Sequence, residues 1–218
     1  MRTHGWGGQV PADDDEAISR IIEATRATID SKGEQTGIAD VARHLGVTRQ
    51  TVYRYFRNTE DLLSATALQA TEPFLATLAR ELRSITDPAE AIIEGIVTVI
   101  DRLPHERYLG LLLRTHHTSS FAVRITSPTA RHFGRSMIML LGVDWAGAGF
   151  TDTDIDDIVE IVLRTIQSLI LDPGDPERTA DELRAFLYKW ILPTIESMAG
   201  YTDPRPSFIP APASMKSC

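Results

Sequence analysis

The amino-acid sequence predicts an all-α fold. Apolar residues recur at intervals of three and four over most of the chain, and no stretch shows the sustained alternation of a half-buried strand. Capping residues, prolines and glycines interrupt this pattern where helices start and stop. With 218 residues, of which 43% are hydrophobic, the chain is long enough to bury a core in one large domain or two small ones.

The capping signals justify the helices one after another. Asn58 and the sequence Asp-Pro-Ala-Glu at residues 87–90 are typical helix starts, and Gly33 is a typical stop. Pro73 should kink its helix, and Pro193 should kink or end the last one. The predicted helices span residues 13–32, 38–45, 49–56, 58–84, 87–103, 105–115, 127–141, 152–171 and 177–199.

We expect these helices to form two domains. Residues 14–60 would form a small three-helix domain, and residues 61–199 a larger helical domain. The N-terminal residues 1–13 and the proline-rich residues 200–218 are expected to be disordered.

Composition excludes several classes of protein. The single cysteine, Cys218, excludes a disulfide framework and a cysteine-based zinc site. No apolar run approaches the roughly 20 residues of a membrane span, and the polar, acidic N-terminus does not resemble a signal peptide. A cytoplasmic protein without membrane contacts is therefore expected. The formal net charge of -8 argues against general binding to polyanions.

One short segment departs from this acidic character. Residues 41–59 contain Arg43, Arg49, Arg54 and Arg57 but no Lys, Asp or Glu. The segment therefore carries +4, and the rest of the chain carries -12, which is -8 minus +4. Any contact with nucleic acid should be confined to this segment.

The same segment has the pattern of a helix–turn–helix motif. Its apolar positions pack two short helices together, Gly46 suits a sharp turn with positive φ, and Thr48 is a candidate N-cap for the second helix. That helix presents side chains that donate to phosphates or reach base edges, whereas a carboxylate there would be repelled by DNA. A helical hairpin with an ordinary basic surface is the alternative for this pattern alone.

The longer stretch GVTRQTVYRYFRNTEDLL resembles the DNA-binding signature of the TetR family of bacterial repressors, which runs close to GVS-x-x-T-(L/V)-Y-x-(H/Y)-F-x-(S/N)-K-E-x-L. The resemblance covers about residues 17–68 and implies a three-helix DNA-binding domain followed by a helical domain that holds a ligand and forms a homodimer. The matching positions are Gly46, Val47, Thr51, Val52, Tyr53, Tyr55, Phe56, Asn58, Glu60 and Leu62.

Carried over by position, the resemblance implies a set of contacts with double-stranded DNA. Thr51 and Tyr53 would bind DNA phosphates, while Arg49, Gln50 and Tyr55 would face the major groove. By hydrogen-bond geometry, Arg49 suits guanine and Gln50 suits adenine. The predicted DNA-binding residues are Thr36, Gly37, Thr48, Arg49, Gln50, Thr51, Tyr53, Arg54, Tyr55, Arg57 and Thr59.

Two positions depart from the family pattern. The lysine usual before the fourth helix is Thr59, so its phosphate contact is lost or passes to Arg57. The hydroxyl residue usual at the start of the second helix is Gly37, which leaves Thr36 or a backbone N–H for that phosphate.

The last two predicted helices have broader apolar faces than packing inside one chain requires. The surplus predicts a four-helix bundle across a two-fold axis, and a fully buried helix pair in a monomer is the alternative. The apolar positions are Ile155, Ile158, Val159, Val162, Leu163, Ile166, Leu169 and Ile170 on one helix, and Leu183, Phe186, Leu187, Trp190 and Ile191 on the other.

The resemblance also implies a ligand cavity among the middle helices. The aliphatic, aromatic and methionine character of its candidate residues favours an apolar or amphipathic small molecule, although each residue also suits a plain core. The candidates are Phe74, Leu112, Leu113, His116, Phe121, Phe133, Met137, Met139, Leu141 and Gln167. No metal site is predicted, because the adjacent His116 and His117 point about 100° apart on a helix.

Together these patterns predict a ligand-responsive transcriptional regulator. It would repress from a palindromic operator as a homodimer and be released by a hydrophobic or acyl-chain-like inducer. A helical enzyme and a ligand-independent DNA-binding adaptor are the alternatives. The sequence has no Gly-x-Ser-x-Gly, phosphate-loop or HExxH motif, so no catalytic residue or cofactor is predicted.

Overall fold

The computed structural model describes residues 5–110 and 127–199. Within these ranges the chain is all-α, as the sequence predicts, and contains no strand. Single turns of 3-10 helix occur at Trp6–Gly8, Gly33–Gln35 and Leu103–His105. The helices are α1 (Asp14–Lys32), α2 (Ile38–Leu45), α3 (Arg49–Tyr53), α4 (Thr59–Leu82), α5 (Pro88–Arg102), α6 (Pro128–Leu140), α7 (Asp152–Leu171) and α8 (Ala180–Ala199).

Capping side chains begin most of these helices. Asp13, Thr48 and Asn58 each accept a hydrogen bond from a backbone N–H in the first turn of α1, α3 and α4. Asp87 and Ser127 do the same for α5 and α6. Each cap satisfies a donor that the helix itself leaves without a partner, so the predicted starts at Asn58 and Asp87 are confirmed.

Some helix ends differ from the predictions. α3 ends at Tyr53 rather than at residue 56, because the chain turns there and buries Phe56. α8 begins at Ala180 rather than at residue 177. Pro193 lies inside α8 without ending it, and Pro73 lies inside the single helix α4.

Some of the described N-terminal residues contact the helices that follow them. Trp6 packs against the core of the first three helices, and Arg20 Nη1 donates to the Gln9 carbonyl oxygen at 2.6 Å. Gly5 lies against the turn between α2 and α3, where an added Cβ would stand 2.8 Å from the Gly46 carbonyl oxygen. Trp6 and the Gln9 carbonyl thus contact the N-terminal helices, and the prediction of disorder for residues 1–13 stays a prediction. Residues 1–4 and 200–218 lie outside the described residues.

The apolar core falls mainly into two clusters. α1 packs on α2 and α4, and α2 packs on α3, around an N-terminal cluster that includes Ile21, Val41, Val52 and Leu62. In the larger cluster α5 is central, with α4, α7 and α8 packed against it, and α6 packs on α4 and α7. α4 contributes to both clusters and spans about 36 Å at 1.5 Å per residue. No helix in the described ranges is long and apolar enough to cross a membrane.

Candidate DNA-binding and ligand-binding sites

The turn between α2 and α3 has the geometry of a helix–turn–helix motif. Gly46 adopts φ 66°, in the left-handed region, as the sequence predicts. The Val47 N–H donates to the Ala42 carbonyl oxygen at 2.9 Å, which closes the end of α2. Ala42 and Val52 are buried where the two helices meet, so α3 is held at a fixed angle on the surface.

The first turn of α3 is ordered by two threonines. The Thr51 N–H donates to Thr48 Oγ1 at 3.1 Å, and the two hydroxyl oxygens are 2.9 Å apart. Arg49, Gln50 and Tyr53 are exposed, and Tyr53 keeps 53% of its surface accessible. These are the side chains that the sequence assigns to DNA, and α3 presents them together to solvent.

The two residues after α3 engage the start of α1. Asp14 Oδ1 accepts from the Tyr55 hydroxyl at 3.0 Å and from Arg54 Nη2 at 3.3 Å. The Arg54 guanidinium also lies 5.4 Å from the centre of the Tyr55 ring. Partial burial, and then the hydrogen bond to Asp14, raise the pKa of Tyr55 above its usual value, so the phenol remains a donor. Sequence reasoning missed Asp14, because only the fold brings it to the end of α3.

The residues predicted to bind DNA phosphates at the starts of α2 and α4 differ in how accessible they are. Thr36 is 4% exposed and its hydroxyl donates to the Gly33 carbonyl oxygen at 2.8 Å, so it is a poor phosphate ligand. Gly37 precedes α2 without any side-chain cap from the described residues, which leaves backbone N–H groups at that helix start. Arg57 is exposed, and Thr59 is half-buried as the first residue of α4. Gly37 has no hydroxyl for the phosphate contact, which leaves Thr36 or a backbone N–H, and the burial of Thr36 favours the backbone N–H.

The positive charge of this surface is partly compensated. Asp40 Oδ1 lies 2.5 Å from Lys32 Nζ and 2.9 Å from Arg43 Nη1. The hydrogen bond from Lys32, with a smaller contribution from Arg43, holds the pKa of the Asp40 carboxyl below its usual value. Among the described residues, Arg49 and Arg57 form no ion pair with a carboxylate. These two arginines are therefore the cations most available to an external anion.

A cavity of about 570 Å³ lies between α4, α5, α6 and α7. Four of the residues predicted from the sequence line it, namely Phe74, Phe133, Met137 and Leu141. Its volume falls within the usual range for small-molecule sites, and its described lining is mainly aliphatic and aromatic. The arrangement is suited to an apolar molecule or to the apolar part of an amphipathic one.

The remaining ligand predictions have other outcomes. Gln167 is not among the cavity-lining residues, whereas its neighbour Ile166 is. Met139 is 56% exposed, because it follows the cavity-lining Met137 by two positions, more than half a helical turn. The other predicted residues, Leu112, Leu113, His116 and Phe121, lie outside the described residues, as does His117.

Sequence reasoning missed the cavity wall contributed by α5. Gly95, Ile96 and Val99 line the cavity, and a Cβ added to Gly95 would meet no atom within 4 Å. A glycine inside a helix was the only local signal. Gly134 on α6 also lines the cavity, but there an added Cβ would stand 2.9 Å from Val159 Cγ1.

The cavity reaches the N-terminal domain through α4. Glu60, Asp61 and Ser64, in the first two turns of α4, line the same cavity as Phe74 further along the helix. The first turn of α4 is separated from the last residue of α3 by only five residues. α4 therefore connects the cavity wall to α3, whose exposed face (Arg49, Gln50 and Tyr53) forms the candidate reading surface.

A second contact joins the two regions. Asp30 Oδ1, on α1, accepts from Arg107 Nη1 at 2.7 Å and from the Tyr108 hydroxyl at 3.3 Å. The Arg26 guanidinium lies 5.3 Å from the centre of the Tyr108 ring. The next residue, Leu109, lines the cavity. Leu109 in the cavity wall is thus next in the chain to Tyr108, which contacts Arg26 and Asp30 on α1.

The described residues contain no group of three or more His, Cys, Asp or Glu side chains arranged to hold a metal ion. His105 Nδ1 is 2.8 Å from the Asp101 carbonyl oxygen of its own helical turn. His132 packs beside the Phe133 ring. Each of these histidines therefore has a contact with its neighbours that does not involve a metal ion.

Comparison with known proteins agrees with this geometry. The model of the N-terminal domain of bacterial regulatory proteins of the tetR family matches residues 21–66. An HTH-type transcriptional regulator of Mycobacterium bovis is 30% identical over 108 residues, 49% of this chain and 53% of that protein. An HTH-type transcriptional regulator of Mycobacterium tuberculosis is 24% identical over 183 residues, 82% of this chain and 85% of that protein. The chain thus spans about half the length of the first relative and most of the second.

The fold extends the likeness beyond the motif. The TetR family repressor AlkX from Dietzia sp. superposes with a TM-score of 0.59 at 21% identity, over 84% of this chain and 96% of AlkX. An exposed α3 on a helix–turn–helix, followed by a helical domain of this architecture, defines a DNA-binding transcriptional regulator. Residues 21–66 therefore carry the DNA-binding domain of the tetR family of bacterial regulatory proteins.

Proposed function

We propose that this regulator is a homodimeric repressor that releases its operator when an apolar small molecule binds the cavity between α4 and α7. The observation that carries this proposal is the continuity of α4. Its first two turns and its middle line one cavity, and the same helix follows directly on α3. A ligand in the cavity therefore contacts the element that positions the reading surface.

The DNA contacts in this proposal follow from the exposed face of α3. Arg49 and Gln50 read base edges in the major groove, where their geometry suits guanine and adenine. Tyr53, Arg57 and the backbone N–H groups at the start of α2 bind phosphates and fix the orientation of the domain.

The homodimer in this proposal uses apolar surface that packing leaves uncovered. Both α7 and α8 pack on α5, yet Ile161 is 59% exposed on α7 and Trp190 is 68% exposed on α8. In this proposal both side chains are buried between the two subunits, which removes their apolar surface from water. Leu183 and Leu187, which the sequence assigned to the same face, are buried in the core of the single chain instead. A two-fold bundle of α7 and α8 would bring two α3 helices onto one face of the duplex.

The ligand in this proposal is largely apolar because most of the described cavity wall is apolar. Aliphatic side chains from α5 and α7 and the rings of Phe74 and Phe133 surround the space. An acyl chain or a similar hydrocarbon gains about 25 cal/mol for each Å² of apolar surface removed from water. AlkX, which shares this fold, is described as implicated in the biodegradation of n-alkanes, and that description agrees with an apolar ligand.

Release of DNA follows from the spacing that a dimer needs. Two α3 helices dock together only when they lie about 34–36 Å apart, one turn of the duplex. A ligand that displaces the start of α4, or moves Leu109 and the Tyr108–Asp30 contact, changes this spacing. By linkage, the ligand must bind the DNA complex more weakly than the free protein by the same factor that it weakens DNA binding.

A mobility-shift assay on the DNA upstream of the protein's own gene tests the proposal. The proposed repressor shifts this DNA in preference to a random duplex, and an apolar inducer reverses the shift. An adaptor gives a shift that no ligand reverses, and an enzyme gives no shift. Binding of a fluorescent fatty-acid-like probe, measured with and without operator, then tests linkage, and equal affinities in the two states would rule out induction by that probe.

The Asp30 contact provides a sharper test of the relay. Asp30→Asn weakens the ion pair with Arg107, which joins the two regions, and should reduce the effect of ligand on operator affinity while leaving probe binding intact. Glu81→Gln is the matched control, because Glu81 pairs with Arg102 on the surface between α4 and α5, both in the larger domain, and is equally exposed at 44%. If both variants respond to ligand as the wild type does, the relay does not run through Asp30.

A further inference from the structure

We propose that Asp14 is an internal competitor for DNA phosphate, which occupies Arg54 and Tyr55 in the free protein and thereby limits the affinity of the regulator for DNA of any sequence. This inference rests on the proposed docking of α3 on DNA. It concerns a residue outside the helix–turn–helix motif, forty positions before the arginine that it contacts.

The contacts of Asp14 resemble those of a phosphate oxygen. One carboxylate oxygen, Oδ1, accepts from a guanidinium nitrogen and from a phenol hydroxyl, which are two common donors to DNA phosphates. Both donors come directly after α3, at the edge of the reading surface. The Arg54 guanidinium stacks near the Tyr55 ring, so the two donors are held as a pair around one anionic oxygen.

Exposure makes this contact exchangeable. The side chains of Arg54 and Asp14 are 69% and 66% exposed, so the ion pair lies at the surface and can open without unfolding. Surface ion pairs contribute little because water and salt screen them. A phosphate can therefore replace the carboxylate, but the displaced charge of Asp14 remains nearby and repels it.

The neighbouring acidic residues have different roles. Asp13 caps α1 by accepting from the Glu16 N–H at 2.8 Å, and Glu16 pairs with Arg20 at 2.5 Å. Asp15 is exposed and takes part in no ion pair or side-chain hydrogen bond within the described chain. Asp14 is thus the acidic residue of this turn that contacts the residues after α3. Asp15 is the control, because it carries the same charge and is the next residue of α1.

The test compares Asp14→Asn with Asp15→Asn in the full-length protein. Fluorescence anisotropy measures binding to the upstream operator fragment and to a random duplex of equal length over a range of salt concentrations. Asp14→Asn should raise affinity for both duplexes roughly threefold to tenfold at about 0.1 M salt. It should also make the slope of log K against log salt more negative by up to about 0.9, because in the wild type the carboxylate that a phosphate displaces takes up a cation and offsets the counterion that this phosphate releases. Asp15→Asn should leave the slope unchanged. Thermal melting checks that both variants are folded.

A second pair of variants assigns the effect to the contacts. In a background of Arg54→Ala with Tyr55→Phe, Asp14→Asn should change affinity and slope no more than Asp15→Asn does. The inference is overturned if Asp14→Asn and Asp15→Asn behave alike in the wild-type background, if Asp14→Asn weakens binding, or if its effect persists without the two donors. Failure of the proposed function is a separate result, since the wild type would then show no preference for the upstream fragment over the random duplex.

Discussion

Gly95 offers a direct way to fill the cavity without disturbing the rest of the fold. It is buried in the middle of α5, lines the cavity, and has no atom within 4 Å of the place where a Cβ would stand. Gly95→Ala should therefore raise the free energy of unfolding by about 0.8–1 kcal/mol, because alanine favours a helix interior over glycine by that amount. For a chain of this size, 1 kcal/mol corresponds to a rise in Tm of about 2–4 °C.

Gly95→Leu extends the same change into the ligand space. Its three further carbon atoms should add up to about 2 kcal/mol if they are buried at roughly 0.8 kcal/mol each. The leucine side chain then occupies space that the ligand needs, so we expect probe affinity to fall at least about tenfold, which corresponds to 1.4 kcal/mol. Operator affinity should stay at the wild-type value as long as the leucine fills existing space and does not displace α4, the helix that follows α3.

Gly134→Ala is the matched control. Gly134 also lines the cavity within a helix, but its added Cβ would stand 2.9 Å from Val159 Cγ1. Overpacking costs about 1–3 kcal/mol, which cancels or exceeds the gain in helix propensity. Thermal or urea unfolding and probe titration measure all three variants. If Gly95→Leu binds the probe as tightly as the wild type while remaining folded, this cavity is not the ligand site.

Three further predictions concern the DNA contacts, the dimer interface and the acid stability of the N-terminal domain. Arg49→Ala should reduce the free energy of operator binding by about 1–3 kcal/mol and relax specificity at one base pair. Tyr53→Ala should instead weaken binding to all duplexes. Equal operator affinity in both variants and the wild type would show that α3 does not contact the operator. Trp190→Glu should give folded monomers in sedimentation, because it charges an exposed apolar side chain, and a variant that remains dimeric places the interface elsewhere. The pKa of Asp40 is lowered chiefly by Lys32, so its stabilising contribution is complete above the ordinary carboxyl pKa and is lost as pH falls through the lowered value. Acid unfolding followed by circular dichroism should therefore show a smaller loss of stability below about pH 4 in Asp40→Asn than in the wild type, and parallel curves would assign that loss to other carboxylates.

Local signals in the sequence were sufficient for the helices and the reading surface. The N-caps at Asn58 and Asp87, and the positive φ at Gly46, each depend on a few consecutive residues whose preferences do not change with the rest of the fold. The exposure of Arg49 and Gln50 follows in the same way, because they lie on the polar side of a helix whose Val52 is buried. The family resemblance extended this local pattern to a DNA-binding role.

Hydrophobicity alone could not show which apolar residues of α7 and α8 are buried within the chain and which remain exposed. Leu187 and Trp190 both suit a buried position in the sequence, yet Leu187 is 1% exposed and Trp190 is 68% exposed. Hydrophobicity predicts that a side chain favours burial but does not say which neighbour buries it. Only the packing of α8 on α5 distinguishes the side chains in the core of the chain from those left exposed, which we propose as the dimer interface.

The sequence by itself determined the all-α class, most of the helix starts and the face of α3 that carries Arg49, Gln50 and Tyr53, because short-range backbone and capping energies decide these features. Tertiary structure alone decided where the cavity lies, that Gly95 leaves space in its wall, and that Asp14 meets Arg54 and Tyr55. These features depend on distances between residues far apart in the chain. Such distances follow from how whole helices pack, and no local preference encodes them.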